Sequence, residues 1–191
     1  MSRRNFKPGT MIYPLPAAMV SCGCEPKDYN IITVSWIGTI CSDPPMCYIS
    51  VRKSRHSHKL IMENKCFVIN LTTEELLKAT DWCGVKSGKD YNKFKEMKLT
   101  PIKGEIVNAP MIAQSPLCIE CEVVEVKELG SHDMFIANVV NVSADETFIN
   151  PKTDTLELNR ANLLAYSHGK YYVLGKQLGF FGHSVQKRKK V

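Results

Sequence analysis

Two long stretches of alternating side chains, joined by three residues, limit the folds open to this chain more than any other feature. "LCIECEVVEVKEL" (Leu117–Leu129) and "DMFIANVVNVSAD" (Asp133–Asp145) meet at Gly130, Ser131 and His132. Alternation over that length predicts two strands, and the short glycine-containing link predicts an antiparallel hairpin. Shorter strand signals precede it: "AMVSCG", the β-branched run "NIITVSWIGTI", "MCYISV" and "CFVINL". Pro44 and Pro45 in "CSDPPMC" force a turn or extended corner between two of them.

Helical signals are fewer. "SHKLIMENK" predicts a short helix. "LTTEELLKATDWCG" predicts a clearer one, with Thr72 and Glu75 as a capping box and Gly84 as its stop. A further short helix is expected from Asp90 in "SGKDYNKFKEM". The last stretch, "LLAYSHGKYYVLGKQLGFFGHSV", holds short apolar segments punctuated by glycine. Many short strands, few helices and no βαβ rhythm predict a mostly β fold, an antiparallel barrel with short helical inserts. The glycine fingerprints of Rossmann and P-loop proteins are absent, so a nucleotide-like ligand would be held by another scheme.

A length of 191 residues, with 44% hydrophobic and 23% charged, suits a single domain over 1–191 with an ordinary core. No apolar run approaches the roughly 18 residues of a membrane span. The basic N-terminus leads into a short apolar segment broken by Pro14 and Pro16, which argues against a secretory signal and for a cytoplasmic protein. The net charge is +6. Arg3, Arg4 and Lys7 lie in one basic tail, 1–7, and Lys187, Arg188, Lys189 and Lys190 in another, 187–191. Taking those seven charges away leaves the body at −1. A nucleic-acid-binding domain carries its surplus on the folded face, so this distribution argues against nucleic acid as the partner.

Eight cysteines and no signal peptide favour free thiols over a disulfide framework. "CIEC" has a metal-ligand spacing, but on a strand Cys118 and Cys121 point to opposite faces. "CGC" at Cys22–Cys24 has no matching Cys or His pair after it at finger-like spacing. Most of these thiols read as small buried hydrophobes, and no metal site is expected. His56 and His58 find no third ligand nearby.

The stretch "ISVRKSRHSHKLI" (Ile49–Ile61) concentrates Arg52, Lys53, Arg55, His56, His58 and Lys59 among serines. It could hold a phosphate, grip a nucleic-acid backbone, or be a solvated loop. Backbone N–H groups, serine hydroxyls and a helix N-terminus suit a phosphate, and Arg grips two of its oxygens at once. Upstream, "NIITVSW" read as a strand puts Thr33 and Ser35 on one face and Asn30, Ile32, Val34 and Trp36 on the other. That arrangement offers hydroxyls and a flat aromatic surface to a ligand, or is an edge strand with Thr and Ser in water.

The order of these segments, "N-x-x-T-x-S-W", then "D-P-P", then "I-S-V-R-K-S-R-x-S", resembles the flavin reductase-like family of FMN-binding split β-barrels. The resemblance continues through "CFVINL", "DWCGVKSGKDYNKF" and "GSHDMFIANVV", with a weaker match at "KYYVLGKQLGFFG". The pattern is most similar to the flavoredoxin-like branch. It implies an antiparallel Greek-key split barrel, a homodimer, and FMN as cofactor. It implies that Asn30, Thr33 and Ser35 hydrogen-bond the flavin and Trp36 lies against it. Cys47, Ser50, Val51, Arg52, Ser54 and Ser57 would take the ribityl chain and phosphate. Lys86 and Ser87 would close over the cofactor, and His132 would approach it from the hairpin turn. Lys53, His56 and Lys59 are expected to face solvent, and Cys47 is the one thiol set against the flavin.

Because a flavin does the redox chemistry, the protein's task is binding, orientation and tuning, and no triad or carboxylate pair is needed. The expected activity is an oxidoreductase passing electrons from NADH or NADPH, or from a redox partner protein, through FMN to a flavin, metal or small acceptor. The alternative is a flavoredoxin-type electron carrier with no nicotinamide site. A nucleic-acid module is the third reading.

Overall fold

The computed structural model describes residues 1–185. The basic residues expected as a C-terminal tail, 187–191, lie outside the described residues. Residues 1–7 are exposed and carry no helix or strand.

Seven strands make the main sheet: β1 (Ala18–Cys22), β2 (Asn30–Val34), β3 (Ile37–Ser42), β4 (Pro45–Arg52), β5 (Cys66–Leu71), β6 (Leu117–Glu128) and β7 (His132–Ala144). Their order is β2-β1-β5-β6-β7-β4-β3, antiparallel at every pairing. The predicted hairpin is β6–β7, turning at Leu129–Ser131, where the Leu129 N–H donates to His132 O at 2.9 Å. The sheet curls so that alternate residues fill one interior: Val20, Ile32, Ile49, Val51, Phe67, Cys121, Phe135 and Ala137 among them. The fold is a mostly β, antiparallel split barrel.

"NIITVSWIGTI" is not one strand. The chain bends at Ser35–Trp36, so β2 and β3 end up at opposite edges of the sheet. Trp36 O accepts from the Ser50 N–H at 2.8 Å, which ties this bend to β4.

The helices cover the outside. α1 (His56–Asn64) follows β4 and buries Ser57 and Ile61. α2 (Leu77–Val85) and α3 (Lys93–Glu96) lie on the outer face of β1 and β2, against Met19 and Ile31. The expected capping box does not form. Thr72 is buried and donates to Ala17 O instead, and a 3-10 turn, Glu74–Leu76, precedes α2. Tertiary hydrogen bonding has claimed the hydroxyl that a local cap would use. Gly84 is not the stop either, because α2 runs on to Val85. A Cβ there would lie 3.2 Å from Cβ of Thr33, so glycine lets the helix sit close on β2. The next helix begins at Lys93 rather than Asp90, where the Asn92 side chain accepts from the Lys95 N–H at 3.0 Å.

A small second sheet joins Leu15–Pro16 to β8 (Leu164–Ser167) and β9 (Lys170–Val173). Among the described residues, no helix is long and apolar enough to cross a membrane.

Candidate functional site

The split between β2 and β4 opens into a cleft of about 320 Å³. Its floor is the β2–β3 bend, with Thr33, Ser35 and Trp36, and the adjoining end of β4, with Ser50, Val51 and Arg52. Asp81, Gly84 and Val85 of α2 form one wall, and Tyr166 and Tyr171 of the second sheet another. His132, at the start of β7, stands beside Trp36 with rings 6.3 Å apart and 12° from parallel. Burial, and then the Arg52 charge on the paired position of β4, pull the His132 pKa down, so its imidazole is neutral at neutral pH.

A smaller chamber of about 130 Å³ continues from the cleft and shares Ile32, Arg55 and Gly84 with it. Asn30, Ser54, Ser57, Lys86 and Ser87 line it, together with His56, Gly88 and Lys93. Asn30 donates from Nδ2 to Ser57 Oγ at 2.7 Å, and both residues are buried. A Cβ on Gly88 would fall 2.0 Å from Asn30 Oδ1, so only glycine lets the Lys86–Gly88 segment close on β2. The chamber also meets the first turn of α1, where the N-capping position, Arg55, has no side-chain cap and the first turn no acidic residue. The His58 N–H already donates to Arg55 O at 3.0 Å, so it is the His56 and Ser57 N–H groups that, with the helix dipole, favour an anion.

Lys93 is the most unusual residue here. It is 3% exposed, and its Nζ donates to Cys83 O at 2.7 Å. Burial lowers its pKa to about 8. Across the cleft, the Tyr171 hydroxyl donates to Asp81 Oδ1 at 3.3 Å. Burial and the Asp81 charge push the Tyr171 pKa up to about 12.

Of the residues singled out from the sequence, the structure brings Thr33, Ser35, Trp36, Ser50, Val51, Arg52 and His132 to the cleft. It brings Asn30, Ser54, Ser57, Lys86 and Ser87 to the smaller chamber. Ser50 and Arg52 are thereby separated from Ser54 and Ser57, and Arg55 is the basic residue that borders both spaces. Cys47 reaches neither. It points into the barrel, 7% exposed, with Sγ 3.5 Å from that of Cys121. Those two cysteines sit on strands either side of β7, roughly 9–10 Å apart in a sheet. That is too far for a disulfide, so the contact is a thiol–thiol hydrogen bond. Cys118 faces a different cluster, outside the barrel, as the strand period requires. Lys59 is exposed and 3.6 Å from Glu63, and Lys53 pairs with Glu128, but His56 is half-buried at the chamber wall rather than free in solvent.

Asp81, Tyr166, Tyr171 and Lys93 escape a sequence reading. They come from α2, α3 and the second sheet, far along the chain from the strand-loop-strand signal. Only the double tyrosine of "KYYV" hints at any of them.

Residues 10–175 match the model of the flavin reductase-like domain. The chain belongs to that family. Among solved structures, it is similar to flavoredoxin of Desulfovibrio vulgaris (Miyazaki F), with a TM-score of 0.88 and 26% identity over 97% of this chain and 100% of that one. Flavoredoxin from Methanosarcina acetivorans gives a TM-score of 0.87 and 25% identity over the same shares. An uncharacterized protein of Archaeoglobus fulgidus is 30% identical over 84% of this chain and 88% of its own. This flavin reductase-like protein therefore has a flavin-related redox role.

The donor set can be tested against a flavin. The cleft offers the Ser35 and Ser50 hydroxyls and a neutral imidazole beside a planar aromatic, while the Thr33 hydroxyl already donates to Thr80 O. The smaller chamber offers a helix N-terminus, an arginine and a buried ammonium. A broad polar and aromatic slot leading to a cationic pocket fits a flavin ring at one end and its phosphate at the other.

Proposed function

We propose that the protein is an FMN-binding oxidoreductase, a single split-barrel domain over 1–191 that acts in the cytoplasm as a homodimer. The observation that carries this reading is the joining of the two chambers, one hydroxyl-lined and aromatic, the other cationic. A flavin phosphate carries close to two negative charges. Arg55, Ser54, Ser57, Lys86, Ser87, Lys93 and the first N–H groups of α1 would hold it. Ser35, and Thr33 as an acceptor, would orient the ring edge, Trp36 would lie against the ring, Ser50 and Arg52 would meet the ribityl chain, and Asn30, which lines the smaller chamber, would stand near the phosphate end. His132, neutral, would donate or accept a hydrogen bond near the ring without adding charge.

When bound, the flavin supplies the two-electron chemistry, taking a hydride from NADH or NADPH or electrons from a redox partner protein, and passing them to a flavin, a metal or a small acceptor. The residues around it bind, orient and exclude water. The second reading, an electron carrier without a nicotinamide site, draws support from the likeness to the two flavoredoxins.

The experiment is an absorption spectrum of the purified protein, followed by reconstitution with FMN and anaerobic addition of NADH or NADPH. Flavin bands that bleach with a nicotinamide are the expected result. Bleaching only with a reduced iron–sulfur protein would select the carrier reading, and a colourless chain that takes up no FMN would overturn both.

A further inference from the structure

One buried carboxylate lies beside the site without lining it. Asp133 follows His132 on β7, and the strand period that sends His132 to the cleft sends Asp133 to the barrel side with Phe135 and Ala137. It is 4% exposed and pairs in register with Val51 of β4. A carboxylate in that place carries a desolvation cost that an apolar residue would not.

Its polar neighbours come from one segment, Arg52–His58, which joins β4 to α1. His58 Nε2 donates to Asp133 Oδ2 at 2.7 Å, and its ring packs edge-on to Phe135 at 5.3 Å. Lys53 Nζ lies 3.5 Å from Asp133 Oδ1, an oxygen with no hydrogen-bond partner among the described residues. Between these two anchors stand Ser54, Arg55, His56 and Ser57, and all four line the smaller chamber. Lys53, His58 and Asp133 line neither that chamber nor the cleft. The middle of the segment thus faces the chamber, while both its ends are fastened from behind to one residue. Its backbone closes two successive turns, Arg55 N–H to Arg52 O at 2.9 Å and His58 N–H to Arg55 O at 3.0 Å. Those bonds set the local turns but not where they stand against β7. The contacts to Asp133 do.

A carboxylate repels a phosphate, so whatever Asp133 adds to binding one passes through the residues it holds. We infer that Asp133 is a positioning residue, clamping Lys53 and His58 so that Ser54, Arg55 and Ser57 are in place before a phosphate arrives. This rests on the reading of the smaller chamber as the phosphate end of a flavin site. A segment ordered beforehand gives up less freedom on binding, and the gain falls on the phosphate alone. The other use open to Asp133, steadying its neighbour His132 beside Trp36, would fall on the ring end instead.

The test compares FMN with riboflavin, which has the same ring and ribityl chain and no phosphate. Both are titrated by flavin fluorescence into the flavin-free full chain, wild type and Asp133→Ala, His58→Leu, His58→Gln and Lys53→Met, with a thermal melt of each. The expected result is FMN weakened about 10- to 100-fold in Asp133→Ala and about tenfold in His58→Leu, with riboflavin changed less than about twofold. His58→Gln keeps a donor for Asp133 and should recover most of the FMN affinity. Lys53 is exposed, so Lys53→Met leaves a folded protein even if Asp133→Ala does not, and it should weaken FMN severalfold with riboflavin unmoved. Equal losses for FMN and riboflavin would make Asp133 a structural residue or a support for His132, and would overturn the inference. Unchanged FMN affinity in the folded variants would overturn it too. A wild-type chain that binds riboflavin as tightly as FMN would take the phosphate out of the smaller chamber, and the inference with it. One that binds neither would remove the flavin reading itself.

Discussion

Of the three charged side chains buried among the described residues, Glu120, Lys93 and Asp133, the first two are treated differently by the fold. Glu120 on β6 is wholly buried, and its carboxylate accepts from the N–H groups of Glu105, Ile106 and Val107 at 3.2, 2.8 and 2.8 Å and from Asn141 Nδ2 at 2.7 Å. The loop it holds is so tight that a Cβ on Gly104 would come 2.4 Å from Val107 O. Lys93 is almost as buried, yet among the described residues its ammonium meets one acceptor, Cys83 O. An ammonium has three donors, so two are left over, and the residue lines the smaller chamber. A buried charge that the fold satisfies completely is part of the architecture. One that it leaves short, at the wall of a cavity, would on the proposed reading take an anion from outside.

The contrast is first broken, or kept, at Glu120. Glu120→Ala strands three backbone donors and an amide without their acceptor, and should cost about 4 kcal/mol. At this chain length that lowers Tm by on the order of 10 °C. FMN affinity of the still-folded protein should stay within about twofold, since the carboxylate touches neither chamber. Thermal melts and FMN titrations on one sample check both halves. An affinity loss that tracks the melting loss would mean the two charges are not separate in role.

Lys93→Met is the converse and the next largest effect. It removes an under-compensated charge, so the flavin-free protein should be no less stable, and more so if the methionine fills the site. FMN should bind about 10- to 100-fold more weakly, the value of one or two charge-assisted hydrogen bonds. A Tm that falls with no change in FMN affinity would make Lys93 a structural residue like Glu120.

What could be read from the sequence follows the same line. The β6–β7 hairpin, the strands around it and the serine-rich loop are local patterns, and their periods survive in the fold. Ser35, Trp36 and Ser54 were legible because they sit on that strand-loop-strand signal. Strand alternation also carried a warning about Cys47. It shares a face with Ile49 and Val51, the barrel side, while Ser50 and Arg52 take the other, and the family pattern mixed the two. Lys93 is different in kind. Nothing within "NKFKEM" separates it from Lys95, which is exposed. Its burial arises only when α3 meets β2 and α2, and contacts made over that range leave no local period. The same holds for Tyr171 and Asp81, which are brought together from ninety positions apart. The failed capping box at Thr72 shows the reverse error, a local rule overruled by a tertiary partner, Ala17 O.

The smallest expected effect sharpens the comparison most, because it reads the Lys93 charge directly. With its pKa near 8 in the folded, flavin-free chain and an ordinary lysine value of 10.5 when unfolded, Lys93 binds fewer protons folded than unfolded between those two values. Stability of the flavin-free protein should therefore rise with pH from about 8 towards 10.5, with the full burden of the buried charge present below 8. A phosphate beside Lys93 favours its charged form and opposes that shift, so FMN binding above pH 8 takes up a proton. FMN affinity should be level from pH 7 to 8 and fall up to about tenfold by pH 9. The neighbouring thiols do not confuse the reading, because burial holds Cys22 and Cys83 up at about 12 and about 11, and the Tyr171 pKa stays near 12. His56 and His132 are both shifted down and stay neutral across the window. FMN titrations at half-unit steps, on wild type and Lys93→Met, separate the outcomes. A fall present in wild type and absent in the variant assigns the titration to Lys93. The same fall in both would place the titrating group elsewhere and leave the buried ammonium without a part in holding the phosphate.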